Sequence, residues 1–164
     1  MLGPSGEKLL LVPCREEDRE YLWWLHRETM WEYVDKTWGW DEAFQRKKFD
    51  EGFDPPALQM IEIDGGAVGY IRVRREPDAI FLASIEIAPE SQNKGIGSRL
   101  IEDLLREGER MELPVKLLVL RVNPARRLYE RLGFECTNET ETHFEMWRMP
   151  STKQSSGGAR LERT

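Results

Sequence analysis

Residues 80–87 read Ile80-Phe81-Leu82-Ala83-Ser84-Ile85-Glu86-Ile87, and Ala88-Pro89 and then Gln92-Asn93-Lys94-Gly95-Ile96-Gly97 follow. The first eight are almost continuously apolar, the pattern of a strand covered on both faces of a sheet. Pro89 ends it, because proline fixes φ and cannot donate to a ladder. Beyond the glycines, Ile96, Leu100, Ile101, Leu104 and Leu105 recur at the spacing of one buried helix face, predicting a helix up to Gly108. A polar, glycine-bearing loop that opens a helix presents unpaired backbone N–H groups at the positive end of the helix dipole. That arrangement favours a phosphate-bearing ligand.

Two common nucleotide loops are excluded. A dinucleotide fingerprint needs a third glycine where this chain has Leu100, and a P-loop needs Gly-Lys-Ser/Thr where Gly97 is followed by Ser98 and Arg99. Gln92-x-x-Gly95-x-Gly97 instead resembles the acyl-CoA pyrophosphate loop of the GNAT N-acetyltransferase superfamily. A second block strengthens the resemblance. Val115–Val122 reads as a strand, and Asn123-Pro124-Ala125-Arg126-Arg127-Leu128-Tyr129-Glu130-Arg131-Leu132-Gly133-Phe134 is similar to the family's later Asn…Leu-Tyr-x-x-x-Gly-Phe motif. The resemblance spans about Leu9 to Pro150, in the family's order.

At 164 residues the chain suits one domain with a proper core. Cys14 and Cys136 lie far apart with no metal or redox spacing, so no disulfide framework and no metal are expected. No signal peptide, lipidation motif or bilayer-length apolar run is read, so the expectation is a cytoplasmic protein with no membrane partner. Net charge is −6. Lys153, Arg160 and Arg163 against Glu162 give the terminal segment +2, which leaves −8 on the body. An acidic body argues against nucleic acid, whose binding rests on phosphate neutralisation. It suits a cationic acceptor such as an amine.

The remaining segments follow from punctuation and periodicity. Residues 1–7 read as a flexible terminus, 8–150 as the domain and 151–164 as a disordered Ser/Gly/Lys-rich tail. Strands are predicted over Lys8–Cys14, Ala57–Ile63, Ala67–Arg74, Phe134–Asn138 and Thr142–Met149, with Asp64-Gly65-Gly66 as a hairpin turn. A helix is predicted from Glu16 to about Asp35, with Leu22, Leu25 and Trp24 or Trp31 facing the core. A second helix is predicted from Glu42 to about Phe53, capped by Asp41. The last helix is predicted from Pro124, with Asn123 as its cap. This order implies an α/β acetyltransferase fold of a single domain. By resemblance its sheet is mixed, mostly antiparallel and twisted, of about six or seven strands, with helices on both faces and with the strands around the cofactor helix splayed apart.

The resemblance implies acetyl-CoA as co-substrate and acetyl transfer to a primary amine, directly within a ternary complex. By family resemblance the amides of Gln92, Asn93, Lys94, Gly95, Ile96, Gly97 and Ser98 face the pyrophosphate, Ile85 and Ile87 pair with the pantetheine arm, and Asn123 lies near it. Tyr129 is the candidate acid for the departing thiolate, with a core aromatic as the alternative reading. Glu86, in an apolar strand, must be paired or face a cavity; it is a candidate base, or a partner for an arginine such as Arg72. His143 is a second candidate base. Tyr33, Trp38 and Trp40, near Asp41 and Glu42, are candidate acceptor contacts through aromatic faces beside carboxylates, with Glu86 beside them. A small-molecule acceptor is expected; a protein or peptide acceptor and a non-catalytic acyl-CoA-binding module are the alternatives. Exposed edge strands near the C-terminus make a homodimer an open possibility.

Overall fold

The structure is a computed structural model that describes residues 1–151. The chain divides into two units, Met1–Val73 with Ala83–Arg99, and Arg74–Leu82 with the residues from Leu100 onward. Strands β1 (Leu9–Pro13), β2 (Gln59–Ile63), β3 (Gly66–Arg75), β4 (Ile80–Ile87), β5 (Val115–Leu120), β6 (Glu135–Glu139) and β7 (His143–Arg148) hydrogen-bond in the order β1-β2-β3-β4-β5-β7-β6. The β4–β5 pairing is parallel, and β1–β2, β2–β3, β5–β7 and β6–β7 are antiparallel. The α/β class and the mixed, mostly antiparallel sheet are therefore as expected.

In the first unit, helix α1 (Arg19–Trp38) follows a short 3-10 turn, and α2 (Glu42–Gly52) follows Asp41. The Asp41 cap is real: its Oδ1 accepts from the Phe44 N–H at 2.9 Å. The helices and strands enclose a core of Cys14, Leu22, Leu25, Leu58, Met60 and Ala88. The expected core role of Trp24 or Trp31 is overturned, since both are exposed and Trp23 is buried in their place. Neighbouring aromatic residues make the period of α1 ambiguous, and contacts from α2 decide it: the Trp23 ring lies 5.5 Å from that of Phe49. Residues 1–7, read as loose, form a turn in which the Gly3 N–H donates to the Glu7 carbonyl at 2.7 Å and Leu2 pairs with Lys8.

In the second unit, β5 stops at Leu120, two residues short of the expected Val122, because the Asn123 N–H turns back to the Leu120 carbonyl. Helix α4 is only Arg126–Arg131 and does not begin at Pro124. Asn123 spends its side chain on the N–H of Ala125, the residue just before the helix. Helix α3 (Ile96–Met111) runs through Gly108. The glycine is buried, and a Cβ there would meet the Leu113 carbonyl at 2.8 Å, so it permits packing where an end was expected. Apart from Ser151, the predicted tail lies outside the described residues.

Candidate active site

The floor of the site is set where β3 meets the end of β4. The Ala88 N–H donates to the Val68 carbonyl at 2.8 Å. At Gly69 a Cβ would stand 2.2 Å from the Glu86 carbonyl oxygen and 3.1 Å from Ile87 Cα, so only glycine allows the two strands to come this close. Strand alternation then directs Ser84 and Glu86 to one face and Ile85 and Ile87 to the other.

Glu86 is the buried charged residue of the described chain, 8% exposed. Its Oε1 lies 3.0 Å from Nδ1 of His26, on α1. It does not pair with Arg72. Oε2 is buried and lacks a hydrogen bond of ordinary geometry. The neighbouring Tyr70 phenol is raised well above its usual pKa by burial and then by the Glu86 charge. For His26, burial disfavours the charged ring, but hydrogen bonding to Glu86, its charge and Gln45 outweigh it, so its pKa is raised. The imidazole is also confined: its centroid lies 6.2 Å from Trp23, 6.2 Å from Trp40 and 6.4 Å from Phe49. Trp40 is held there by its N–H to Asp35 Oδ1 and by its Nε1–H to Glu42 Oε2.

His26 lines a cavity of about 750 Å³. Its walls are Leu22, Val34 and Trp38 from α1, Phe44, Gln45, Lys48 and Phe49 from α2, and Tyr70, Arg72 and Ser84 from the sheet. Of the expected acceptor contacts, Trp38 lines this cavity and Trp40 packs against His26. Tyr33 is half-buried, and its carbonyl accepts from the Thr37 hydroxyl.

Past Ile87 the loop is anchored by Gln92, whose Nε2 donates to the Ile87 carbonyl at 2.9 Å. Asn93 (φ 60°) and Gly95 (φ 83°) both take the left-handed conformation, which glycine adopts without strain. The first amide of α3 to reach a backbone carbonyl is that of Arg99, bonded to Gly95. Among the described residues the amides from Asn93 to Ser98 have no backbone partner. Gly97 lies beside Ile87, where a Cβ would make an ordinary contact with Ile87 Cδ1 at 3.5 Å. Among the described residues β4 pairs with β5 only at Ile80–Leu82.

In the second unit Tyr129 is buried, with its ring 5.9 Å from Phe134 in an edge contact. Burial pushes its phenol up to about 12. His143, at the start of β7, has Nδ1 2.8 Å from the Thr142 hydroxyl.

No curated protein sequence matches the chain. A sequence model described as the acetyltransferase (GNAT) family matches residues 16–134. The chain belongs to the GNAT acetyltransferase family. Solved structures share the GNAT fold. The paia N-acetyltransferase from Thermoplasma acidophilum, in complex with coenzyme A, is 18% identical with a TM-score of 0.69, over 87% of this chain and 99% of that one. The ribosomal-protein-S18-alanine N-acetyltransferase from Escherichia coli is 20% identical with a TM-score of 0.62, over 88% and 95%. Naa20 from Chaetomium thermophilum, with a bisubstrate analogue, is 18% identical with a TM-score of 0.58, over 87% and 86%. At these identities the likeness establishes the GNAT fold.

Within this GNAT chain, His26 is the residue that motif reasoning passes over. A signal was present, because His26 stands four residues after Leu22 and next to Leu25, on the buried face of α1. Among the described residues no helix is long and apolar enough to cross a membrane, and no group of three or more His, Cys, Asp and Glu could hold a metal ion.

Proposed function

We propose that this GNAT acetyltransferase moves an acetyl group from acetyl-CoA to a primary amine by direct transfer, with a small-molecule acceptor received in the cavity beside His26. The observation that carries this reading is the His26–Glu86 pair at 3.0 Å, with His26 on the wall of that cavity. An amine reaches the site as ammonium and must lose a proton before it attacks. In the neutral ring, the Glu86 carboxylate selects the tautomer with hydrogen on Nδ1, which leaves Nε2 as the acceptor. His26 is thus the base and Glu86 its orienter. The other histidine candidate, His143 on β7, has the Thr142 hydroxyl at its Nδ1.

The chain's residues fit acetyl-CoA. The unpartnered amides of Asn93, Lys94, Gly95, Ile96, Gly97 and Ser98 suit a diphosphate at the start of α3, and Lys94 adds charge. The end of β4 at Ile85 and Ile87, beyond its pairing with β5, suits an extended amide-bearing arm. Bound there, acetyl-CoA supplies the activated acetyl group. Tyr129 is assigned as proton donor to the leaving thiolate and Asn123 as a pantetheine contact, both by family resemblance.

Thiol release from acetyl-CoA, measured over a panel of amines and peptides, tests the reading. Turnover with a small amine that falls in His26→Gln, with acetyl-CoA affinity retained, supports it. Tight acetyl-CoA binding with no turnover across the panel refutes it in favour of a binding module. Turnover confined to peptides moves the acceptor class to protein N-termini or lysines.

A further inference from the structure

We infer that the acceptor carries an acidic group, a carboxylate a few bonds from its amine, and that Arg72 receives it. This rests on the acceptor site proposed above. Arg72 lines the cavity, and among the described residues it has no hydrogen bond and no ion pair; its Nε is buried without a partner. Other arginines of the chain hold carboxylates: Arg19 holds Glu16 and Asp50, and Arg75 holds Glu107. A buried N–H is costly to leave unpaired, and the planar guanidinium fork matches a carboxylate with two parallel N–H···O bonds.

The opposite charge lies on the same floor. Tyr70 feels both ends, being pushed up by Glu86 and pulled the other way by Arg72. Arg72 follows Tyr70 by two residues on the same face of β3, which places their backbones about 7 Å apart at the usual strand rise. His26 and Arg72 line one cavity of about 750 Å³, so a single small acceptor can set its amine at the base and its carboxylate at the guanidinium. Lys48 on the cavity wall adds a second positive charge, which disfavours polycationic acceptors. Phe44 and Phe49 give the acceptor's body an apolar surface. The substrate class is therefore a free amino acid with a bulky apolar side chain.

The test compares phenylalanine, leucine and methionine with their amides and with the amines that lack the carboxylate. Thiol release from acetyl-CoA and calorimetric binding without acetyl-CoA are both measured. The free acids are expected to exceed both counterparts by at least about tenfold in kcat/KM and in affinity, the worth of one charge-assisted contact. Arg72→Gln is expected to erase the preference through KM, leaving the decarboxylated amines and acetyl-CoA affinity unchanged. Arg72→Lys, which keeps the charge without the fork, restores part of it. Equal handling of acids, amides and amines, or an Arg72→Gln loss shared by all three, overturns the assignment. Absence of turnover for every amine counts against acyl transfer alone, because the calorimetric comparison still decides the role of Arg72.

Discussion

Replacing Gly69 with alanine perturbs the site without touching a side chain that does chemistry. The added Cβ would lie 2.2 Å from the Glu86 carbonyl oxygen, where real Cβ atoms keep at least 3.0 Å, and the obstacle is backbone. The strands must therefore separate by about 0.8 Å at Glu86. Overpacking of this kind costs about 1–3 kcal/mol. For a chain of this size that lowers Tm by about 2–12 °C. The same shift pulls the carboxylate from His26, now 3.0 Å away. A misplacement near 1 Å costs about 10²-fold in turnover. Thermal melting by circular dichroism and thiol-release kinetics on Gly69→Ala measure both. A variant that melts with the parent and turns over within a factor of about two would refute the argued closeness of β3 and β4.

Four further outcomes are expected. The kcat/KM profile should rise with pH through an inflection above the ordinary histidine value of about 6.5, because His26 acts when neutral and its pKa is raised; Glu86→Gln should lower that inflection as well as the rate. The same raised pKa makes the pair's contribution to stability fully present below about 6.5 and lost as pH rises through the folded value, so His26→Gln should destabilise more at pH 6 than at pH 8.5 in melting experiments. Tyr129→Phe should lower kcat about 10²-fold with acetyl-CoA affinity unchanged, and an unaltered rate would remove it from the mechanism; with its phenol near 12, full proton transfer to a thiolate of ordinary pKa 8.5 runs about 5 kcal/mol uphill, so it must act in concert with bond cleavage. Gly95→Val should abolish acetyl-CoA binding in calorimetry, since position 95 has φ 83° and Pro4 Cγ stands 3.1 Å from the new Cβ; retained affinity would mean the loop is wrongly assigned.

The strand–loop–helix of β4 and α3 was legible because its signals are local. Pro89, Gly95, Gly97 and the apolar period from Ile96 to Leu105 punctuate a single stretch, and each needs only neighbours in sequence to be read. The cavity beside His26 was less legible because it is assembled over distance. Glu86 was flagged as needing a partner, but that partner lies 60 residues away on α1. Nothing local prefers His26 to Arg72. Likewise Trp23, Trp24 and Trp31 share one aromatic-rich helix, and only the rings of α2 select Trp23 for burial. Helix α4 was overextended because Pro124 and Asn123 carry start signals that the turn at Leu120 uses first.

Helix α2 gives the cavity Phe44, Gln45, Lys48 and Phe49, yet it contains no buried residue. Substitutions at its exposed cavity positions, Phe44 and Lys48, usually change stability by no more than about 0.5 kcal/mol. Under the function proposed above, the wall that would receive the acceptor can therefore drift, while the strand ends and the glycine loop stay fixed. Acceptor choice is evolvable along one short amphipathic segment, and a saturation library confined to it is the economical route to new substrates.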